Sequence, residues 1–504
     1  MKIKRFAAGF CALALCFGMT ACGGDSGSSG GSTGGNTASK SEGGETTTAN
    51  AAESKNEVTM KEEHVEQVQE IAKELSADTL ENTDLKFFSH WDINPADNST
   101  VSPEIKLWRE KYNGTFTWVQ TTWDKRYDDL AALVMAKDSP DFFSAMDMDG
   151  FPRGAIKGMF DPIDDYIDYN SDLWKEAKVV ADNFIFNGKH YVAAIGGEPD
   201  IVCVYNTKTI EEKGYDDPAE LYWNDEWTWS KFKEMCIDFS DAENDIAGID
   251  GWWYPTAMNN VCGVPIIGLK DGKLVNNMKD PAVTKMQDLI YDLQKNNVVF
   301  DRGKHGNQPR DNATTGAGLA THETLFVPVG LWGFQSEPEG IKGTFGDIEA
   351  GEVMFVPMPR LDDGDTYYMS TRVDGYFLCK NAPNPKGFAA FMECRMLAKK
   401  EAAQISKDQL KDDYHWNDDM LKMLDETKRL ANSESAVFTF NSSVSDELTN
   451  IMNTVAGATT NTWANDDGVS DGQTSWTQTV EANSEAVDFI LKEINDSVDA
   501  AATE

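Results

Sequence analysis

Ser230, Lys231, Phe232 and Lys233 have the S-x-x-K spacing in which a lysine can take the proton of a serine nucleophile. That chemistry needs companion motifs, and the sequence carries none. Ser230, with Thr228 nearby, stands instead where a helix opens. His322-Glu323 sets an imidazole beside a carboxylate, but zinc-assisted hydrolysis needs a second histidine one helical turn away. The six histidines are dispersed, so no metal site is expected. Asp241, Asn244 and Asp245 are rich in oxygen ligands yet lack the glycine-containing spacing of a calcium loop, and read as a solvated turn. There is no G-x-S-x-G and no phosphate loop. A carboxylate pair for glycoside hydrolysis stays open in a chain with 84 acidic residues, although nothing marks one pair out. The residues therefore read as those of a non-enzyme, with no catalytic residue and no cofactor.

One cysteine has a different chemistry. Lys2, Lys4 and Arg5 precede an apolar run from Phe6 to Met19, and the small pair Thr20-Ala21 precedes Cys22. A basic start, a short apolar core and small residues at a cut site describe an export signal over residues 1–21. The run falls short of the about 20 apolar residues of a membrane-spanning helix. "MTACGG" resembles the bacterial lipobox, in which the cysteine thiol is acylated and becomes the new N-terminus, with Met19 standing where leucine is usual. Acyl chains contribute about 0.8 kcal/mol per buried methylene. The alternative is an ordinary secretory signal that contains a cysteine. Behind Cys22, residues 23–56 are nearly all Gly, Ser, Thr, Asn, Ala, Lys and Glu, too polar to bury a core. Val58 to Ser76 reads as a helix, with Val65, Val68, Ile71, Ala72 and Leu75 at helical spacing. Residues 22–83 are thus a tether ending in a helix, docked or solvated.

Composition bounds the body. With 14 Trp, 25 Phe and 14 Tyr, the chain can fill two sizeable cores. A formal charge of −39 with no basic patch excludes nucleic acid as a partner, because phosphates would be repelled. Cys203, Cys236, Cys262, Cys379 and Cys394 have no CxxC spacing and apolar neighbours, so they read as buried thiols.

The elements alternate. Leu85-Phe88, Thr115-Gln120 and a segment opening at Ser139-Phe143 read as strands, separated by helices at Pro103–Tyr112 and Arg126–Ala136. Ile201-Tyr205 and Val353-Val356 read as later strands; Trp229–Phe239, Pro281–Asn296 and Pro385–Lys399 read as later helices, and Ala486–Ile494 as a closing one. Strand and helix alternation at this spacing means βαβ units and a largely parallel sheet.

"IKLWREKYNGTFTWVQTTWDKRYDDLAALVMAKDSPDFF" resembles the start of the family 1 extracellular solute-binding proteins of bacterial ABC importers. "NGKHYVAAIGG", "YNTKTIEEKGYDDPAE", "EWTWSKFKEM", "GAGLATHETLF", "FVPMPR" and "DGYFLCKNAPNPKGFAAFME" follow in the family's order. Ala194 stands near where that family usually has proline. The likeness spans Leu85 to Lys399, and beyond residue 401 no landmark is recognisable. The resemblance implies an α/β fold of two lobes, each a mostly parallel sheet flanked by helices, with a ligand cleft between them. The chain would cross near His190–Gly196, Gln308–Gly316 and Met369–Asp374. Lobe 1 would then hold 84–195 and 312–371, and lobe 2 would hold 196–311 and 372–504.

The same resemblance implies a carbohydrate ligand, and sugar chemistry selects residues. Aromatic rings offer apolar surfaces for C–H faces, and Asp, Asn and Arg pair with hydroxyl edges. Ligands of open α/β sheets sit outside the carboxyl ends of strands. This selects Trp91 and Asp92 after the first strand and Met146 and Asp147 after the third. It also selects Trp252, Trp253, Asn259, Trp332, Arg372 and Asp374. If Trp252 and Trp253 lie on a strand, only one can face the cleft. Any single tryptophan has core packing as its alternative, and Asp147 or Asp374 a helix cap or turn.

The implied protein is a monomer, held on the outer face of the cell membrane by its lipidated cysteine. It would capture a carbohydrate, of oligosaccharide size, and deliver it to an ABC permease. A non-sugar solute such as a peptide, or a cell-surface glycoside hydrolase, are the alternatives. Lipidation has a direct test. Cys22→Ala is expected to leave the protein in the soluble fraction or as uncleaved precursor, read by membrane fractionation and N-terminal sequencing. A variant as processed and membrane-bound as wild type would refute the anchor.

Overall fold

The computed structural model describes residues 62–75, 79–94, 101–306, 308–311, 316–460 and 474–501. The export signal, Cys22 and the polar tether lie outside the described residues. In chain order come α1 (Glu62–Ile71), β1 (Asp84–Ser89), α2 (Pro103–Tyr112), β2 (Thr115–Gln120), α3 (Arg126–Ala136), β3 (Phe142–Ser144) and β4 (Val192–Pro199). Then follow β5 (Val202–Asn206), α4 (Trp229–Phe239), β6 (Ala247–Ile249), α5 (Tyr254–Asn260), α6 (Pro281–Lys295), β7 (Thr324–Val329) and β8 (Val353–Val356). The chain ends with β9 (Met369–Cys379), α7 (Pro385–Asp412), α8 (Asp418–Ala431), β10 (Ala436–Val437) and α9 (Trp476–Ala501). No helix among the described residues is long and apolar enough to cross a membrane.

Local chemistry starts these helices where the sequence places them. The Asp280 carboxylate accepts from the Ala282 N–H at 2.8 Å, and Pro281 occupies the first turn, where its missing N–H costs nothing. Asn384 caps α7 by accepting from the Gly387 N–H at 2.9 Å, ahead of Pro385. The periodic pattern predicts α7 only to Lys399; the helix runs on to Asp412.

Two sheets organise the fold. The first has the order β10-β9-β3-β1-β2, with β4 on β9; the second has the order β8-β5-β7-β6. β1 pairs in parallel with β2 and β3, and β7 with β6. β9 is antiparallel to β3 and β4, and β5 to β7 and β8. Both sheets are therefore mixed, not mostly parallel. In the first sheet the reason lies in the connection: β4 leaves the first lobe and β9 returns to it, so the two must run in opposite directions.

The same pairing corrects the expected lobe boundaries. β7 and β8, expected in the first lobe within 312–371, hydrogen-bond inside the second sheet. β9 and α7, expected in the second lobe, belong with the first: β9 pairs with β3, and α7 packs on α2 and β1. No crossing occurs at 308–311, because Asp311 is bound to the second lobe. Its N–H donates to Asp250 Oδ2 at 2.9 Å, and its carboxylate accepts from the Gly318 N–H at 2.7 Å and the Thr324 hydroxyl at 2.6 Å.

The cores are aromatic. Trp108 is fully buried between Tyr112, Phe116 and Phe391. Trp227 and Trp476 are also buried, and their indole N–H groups donate to the carbonyls of Pro357 and Met278. The five described cysteines are free and buried, as their apolar neighbours predict. Helix α1 docks: Val68 and Leu75 are buried, the helix packs on α7 and α2, and buried His64 sits between Glu401 and Asp408 of α7.

Asp311 gives a pH test. It is almost fully buried beside Asp250, and burial first, then that neighbouring carboxylate, push its pKa up to about 6. A carboxyl group whose pKa is higher folded than unfolded supports the fold fully below about pH 4, and that support is lost as pH rises through about 6. Asp311→Asn removes the titration while keeping an amide that can bond Gly318 and Thr324. Thermal melts from pH 4 to 7 are expected to show wild type losing stability relative to the variant, by on the order of 1–3 kcal/mol. Parallel curves would refute this account of the cluster.

Candidate functional site

Because β1, β2 and β3 are parallel, the loops that follow them emerge at one edge of the first sheet. Trp91, in the first loop, is 38% exposed and meets Phe87 edge-on at 4.9 Å. Asp92 braces its own turn, with Oδ1 accepting from the Asn94 N–H and side-chain amide at 2.9 and 3.1 Å. Trp123, just after β2, is 48% exposed and stands perpendicular to His90, 5.2 Å away. The Arg126 guanidinium lies over the Trp123 ring at 3.7 Å and pairs with Asp149 of the third loop, to which the Tyr127 hydroxyl also donates.

Met146 and Asp147 belong to that third loop. The loop is fastened to β9 by Met148, a residue with φ 60°, whose Sδ accepts from the Val373 N–H at 3.4 Å. Asp147 is exposed by area, yet crowding by its loop and the charge of Asp149 raise its pKa, against the pull of Arg126, His90 and Arg372. Arg372 therefore lies within electrostatic reach of the third loop.

The second sheet repeats the arrangement. Parallel β6 and β7 carry their following segments to one end. Trp253 and Trp332 meet there edge-to-face, with centroids 5.4 Å apart, and Trp332 is 44% exposed. Gly330 allows this fold-over, since a Cβ on it would lie 2.2 Å from the Trp332 indole nitrogen. Trp252 and Trp253 lie in the turn that opens α5, not on a strand, so the alternation rule does not separate them. Trp252 lies under the Arg302 guanidinium, 5.5 Å from the ring centroid. Asn259 does not belong with these residues. It is buried on α5, donating to the Ala456 carbonyl at 3.1 Å and accepting from Gln287 at 2.6 Å, which assigns its amide to packing within the lobe.

A cavity of about 550 Å³ opens where β4 and β9 join the lobes. Met146, Arg372 and Asp374 line it together, with Leu331 from the second lobe and Arg395 and Lys399 from α7. Asp374 is held by Arg395 at 2.6 Å, an ion pair and not a cap or turn. Trp91, Asp92, Asp147, Trp252, Trp253 and Trp332 are not among its lining residues. A larger recess of about 730 Å³, lined by Tyr112, Asp165, Trp174 and Lys386, shares no residue with these loops. We centre the site on the smaller cavity, because it draws residues from both sheets' strand ends.

His90, Trp123, Arg126, Arg395 and Lys399 were not singled out from the sequence. Trp123 and His90 obey the same strand-end rule and could have been found by it. Arg395 and Lys399 are four apart on a helix and look like a solvated face. The S-x-x-K residues are engaged structurally: the Ser230 hydroxyl donates to Asp362 at 2.8 Å, and Lys233 pairs with Asp292.

Solved structures share this fold. A sugar transporter protein from Rhizobium etli in an open conformation aligns with TM-score 0.56 and 15% identity, over 83% of this chain and 100% of that one. An extracellular solute-binding protein from Staphylococcus aureus, in complex with maltose, aligns with TM-score 0.55 and 12% identity, over 82% and 100%. The galacto-N-biose/lacto-N-biose I-binding protein of a Bifidobacterium longum ABC transporter, in complex with lacto-N-biose, gives 0.52 and 14%, over 80% and 98%. No curated protein matches the sequence. The family model described as bacterial extracellular solute-binding protein matches residues 106–410, more than half of the chain, and the protein belongs to that family.

Proposed function

We propose that this protein captures a carbohydrate between its lobes and delivers it to an ABC permease, while acylated Cys22 holds it on the outer face of the cell membrane. The observation that carries the sugar reading is the pair of tryptophan sets at parallel strand ends: exposed Trp91 and Trp123 from one sheet, half-buried Trp253 and exposed Trp332 from the other. Flat apolar rings suit the C–H faces of a sugar, and polar side chains such as Asp147 and Arg372 suit its hydroxyl edges. The maltose and lacto-N-biose held by proteins of similar fold support the same ligand class. The mechanism is binding, hinge closure and hand-off. No bond in the ligand is made or broken, and incubation with oligosaccharides should release no reducing ends.

A thermal-shift screen against a glycan panel finds the ligand, because binding to the native state raises stability by mass action. With the best ligand, Trp91→Ala, Trp252→Ala, Trp253→Ala and Trp332→Ala test the rings. Losing one stacking ring is expected to cost on the order of 1–3 kcal/mol of affinity, roughly tenfold to a hundredfold in Kd. The apo variants should melt well above Trp108→Ala, a core truncation costing about 3–5 kcal/mol. Four variants that bind like wild type, or lose binding only by unfolding, would overturn the aromatic-cleft reading.

Closure has its own measurement. Saturating ligand is expected to reduce the radius of gyration in small-angle scattering, since a ligand shifts an open–closed equilibrium only through differential affinity for the two states. An unchanged radius at saturation would remove closure as the hand-off signal.

A further inference from the structure

The cavity at the β4–β9 connection inverts the charge balance of the chain. The whole sequence has 45 Lys and Arg against 84 Asp and Glu, whereas the cavity lining has five against three. Three of those cations are neutralised: Arg395 by Asp374 at 2.6 Å, Lys428 by Glu198 at 3.4 Å, and Arg429 by Glu426 at 2.7 Å. Two are not. Arg372 makes no side-chain hydrogen bond and no ion pair with any described residue, and its Nε is buried without a partner. Lys399 donates to one backbone carbonyl, that of Ile195, at 2.9 Å, and no carboxylate lies within ion-pair distance of it.

Placing cations this way is costly. A buried guanidinium or ammonium loses hydration that only a matching anion or several acceptors restore. Gly196 leaves room for Lys399 here, since a Cβ there would lie 2.8 Å from the ammonium nitrogen. Asp147 and Asp200 feel the field of Arg372 without bonding to it, so its forked donors remain available. A lobe closing over a neutral sugar would strip more water from both cations and give nothing of opposite charge in return. A carboxylate on the ligand would accept from the Arg372 fork in bidentate geometry and neutralise the site.

We propose that this cavity takes the carboxylate of an acidic sugar, so that the ligand is an oligosaccharide carrying a uronate. The inference rests on the carbohydrate reading given above and narrows it. Arg372 is the anchoring donor, and Lys399 supplies the second positive charge.

The test is calorimetry on the full chain with matched pairs of uronate-containing and neutral di- and trisaccharides, such as digalacturonate beside galactobiose. The best acidic ligand is expected to bind at least tenfold tighter than its neutral partner, with an advantage that shrinks as salt is raised. Arg372→Gln and Lys399→Met are each expected to narrow that gap to less than threefold. Apo Arg372→Gln should melt no lower than wild type, because no hydrogen bond is lost, and this separates loss of recognition from loss of fold. Neutral glycans binding as tightly as their acidic partners would overturn the acidic-sugar assignment and leave the carbohydrate reading standing. No binding from either series, nor from the wider glycan panel, would overturn both.

Discussion

The structure depends on how two strands pass each other between the lobes. β4 and β9 pair antiparallel from Thr371↔Pro199 to Phe377↔Val192, with a bulge at Asp374/Gly375. The pair is stripped of side chains where other elements press on it. A Cβ on Gly197 would lie 2.0 Å from the Ala431 carbonyl oxygen, and one on Gly375 would lie 2.7 Å from that of Ala193. Only glycine allows backbone that close. Into the space comes Asn432, whose amide donates to the Gly197 carbonyl at 2.7 Å and accepts from its N–H at 2.9 Å. The end of α8 is thereby stitched to the connection as an extra strand would be, and α7 delivers Lys399 to the same place.

Much else follows from that crossing. The outgoing strand and the returning one are antiparallel, so the first sheet cannot be uniformly parallel. Among the parallel strands, β1 and β2 in one lobe and β7 in the other are followed by the exposed Trp91, Trp123 and Trp332. Parallel strands place their carboxyl ends side by side, and this brings residues distant in sequence, such as Trp253 and Trp332, within 5.4 Å. The loops are then locked by contacts within and between them: Arg126 to Asp149, and Met148 to the Val373 backbone.

What could be read from the sequence was what is local. Helices α2, α4 and α6 begin at capping residues or prolines and bury one periodic stripe, and their limits are visible in the chain. The alternation of strand and helix was equally visible. Sheet membership was not. Thr324–Val329 is buried at every position, as a central strand of either lobe would be, and only its partner, β5, decides the matter. Asn259 illustrates the same limit: beside two exposed-looking tryptophans it reads as a cleft amide, while Gln287, on another helix, makes it a core one. His64 lies on the apolar stripe of α1, and only the fold reveals that Glu401 and Asp408 of α7 meet it. Local pattern reports burial and turn chemistry; partners distant in sequence report through geometry alone.

The net charge of the chain says little about the cleft for a related reason. At physiological ionic strength, charges separated by more than about 8 Å in water are largely screened. Most of the acidic surface therefore acts on solubility and not on a ligand held between the lobes. Inside the cavity, water is partly excluded and screening is weaker, so the few groups there decide recognition. Under the proposed function these groups belong mainly to the first lobe and the connection, whereas Trp253 and Trp332 belong to the second. On that proposal, a ligand seated on Arg372 in an open form would gain the second set of rings only when the lobes approach. That gain, present in one state and absent in the other, is the differential free energy that closure requires.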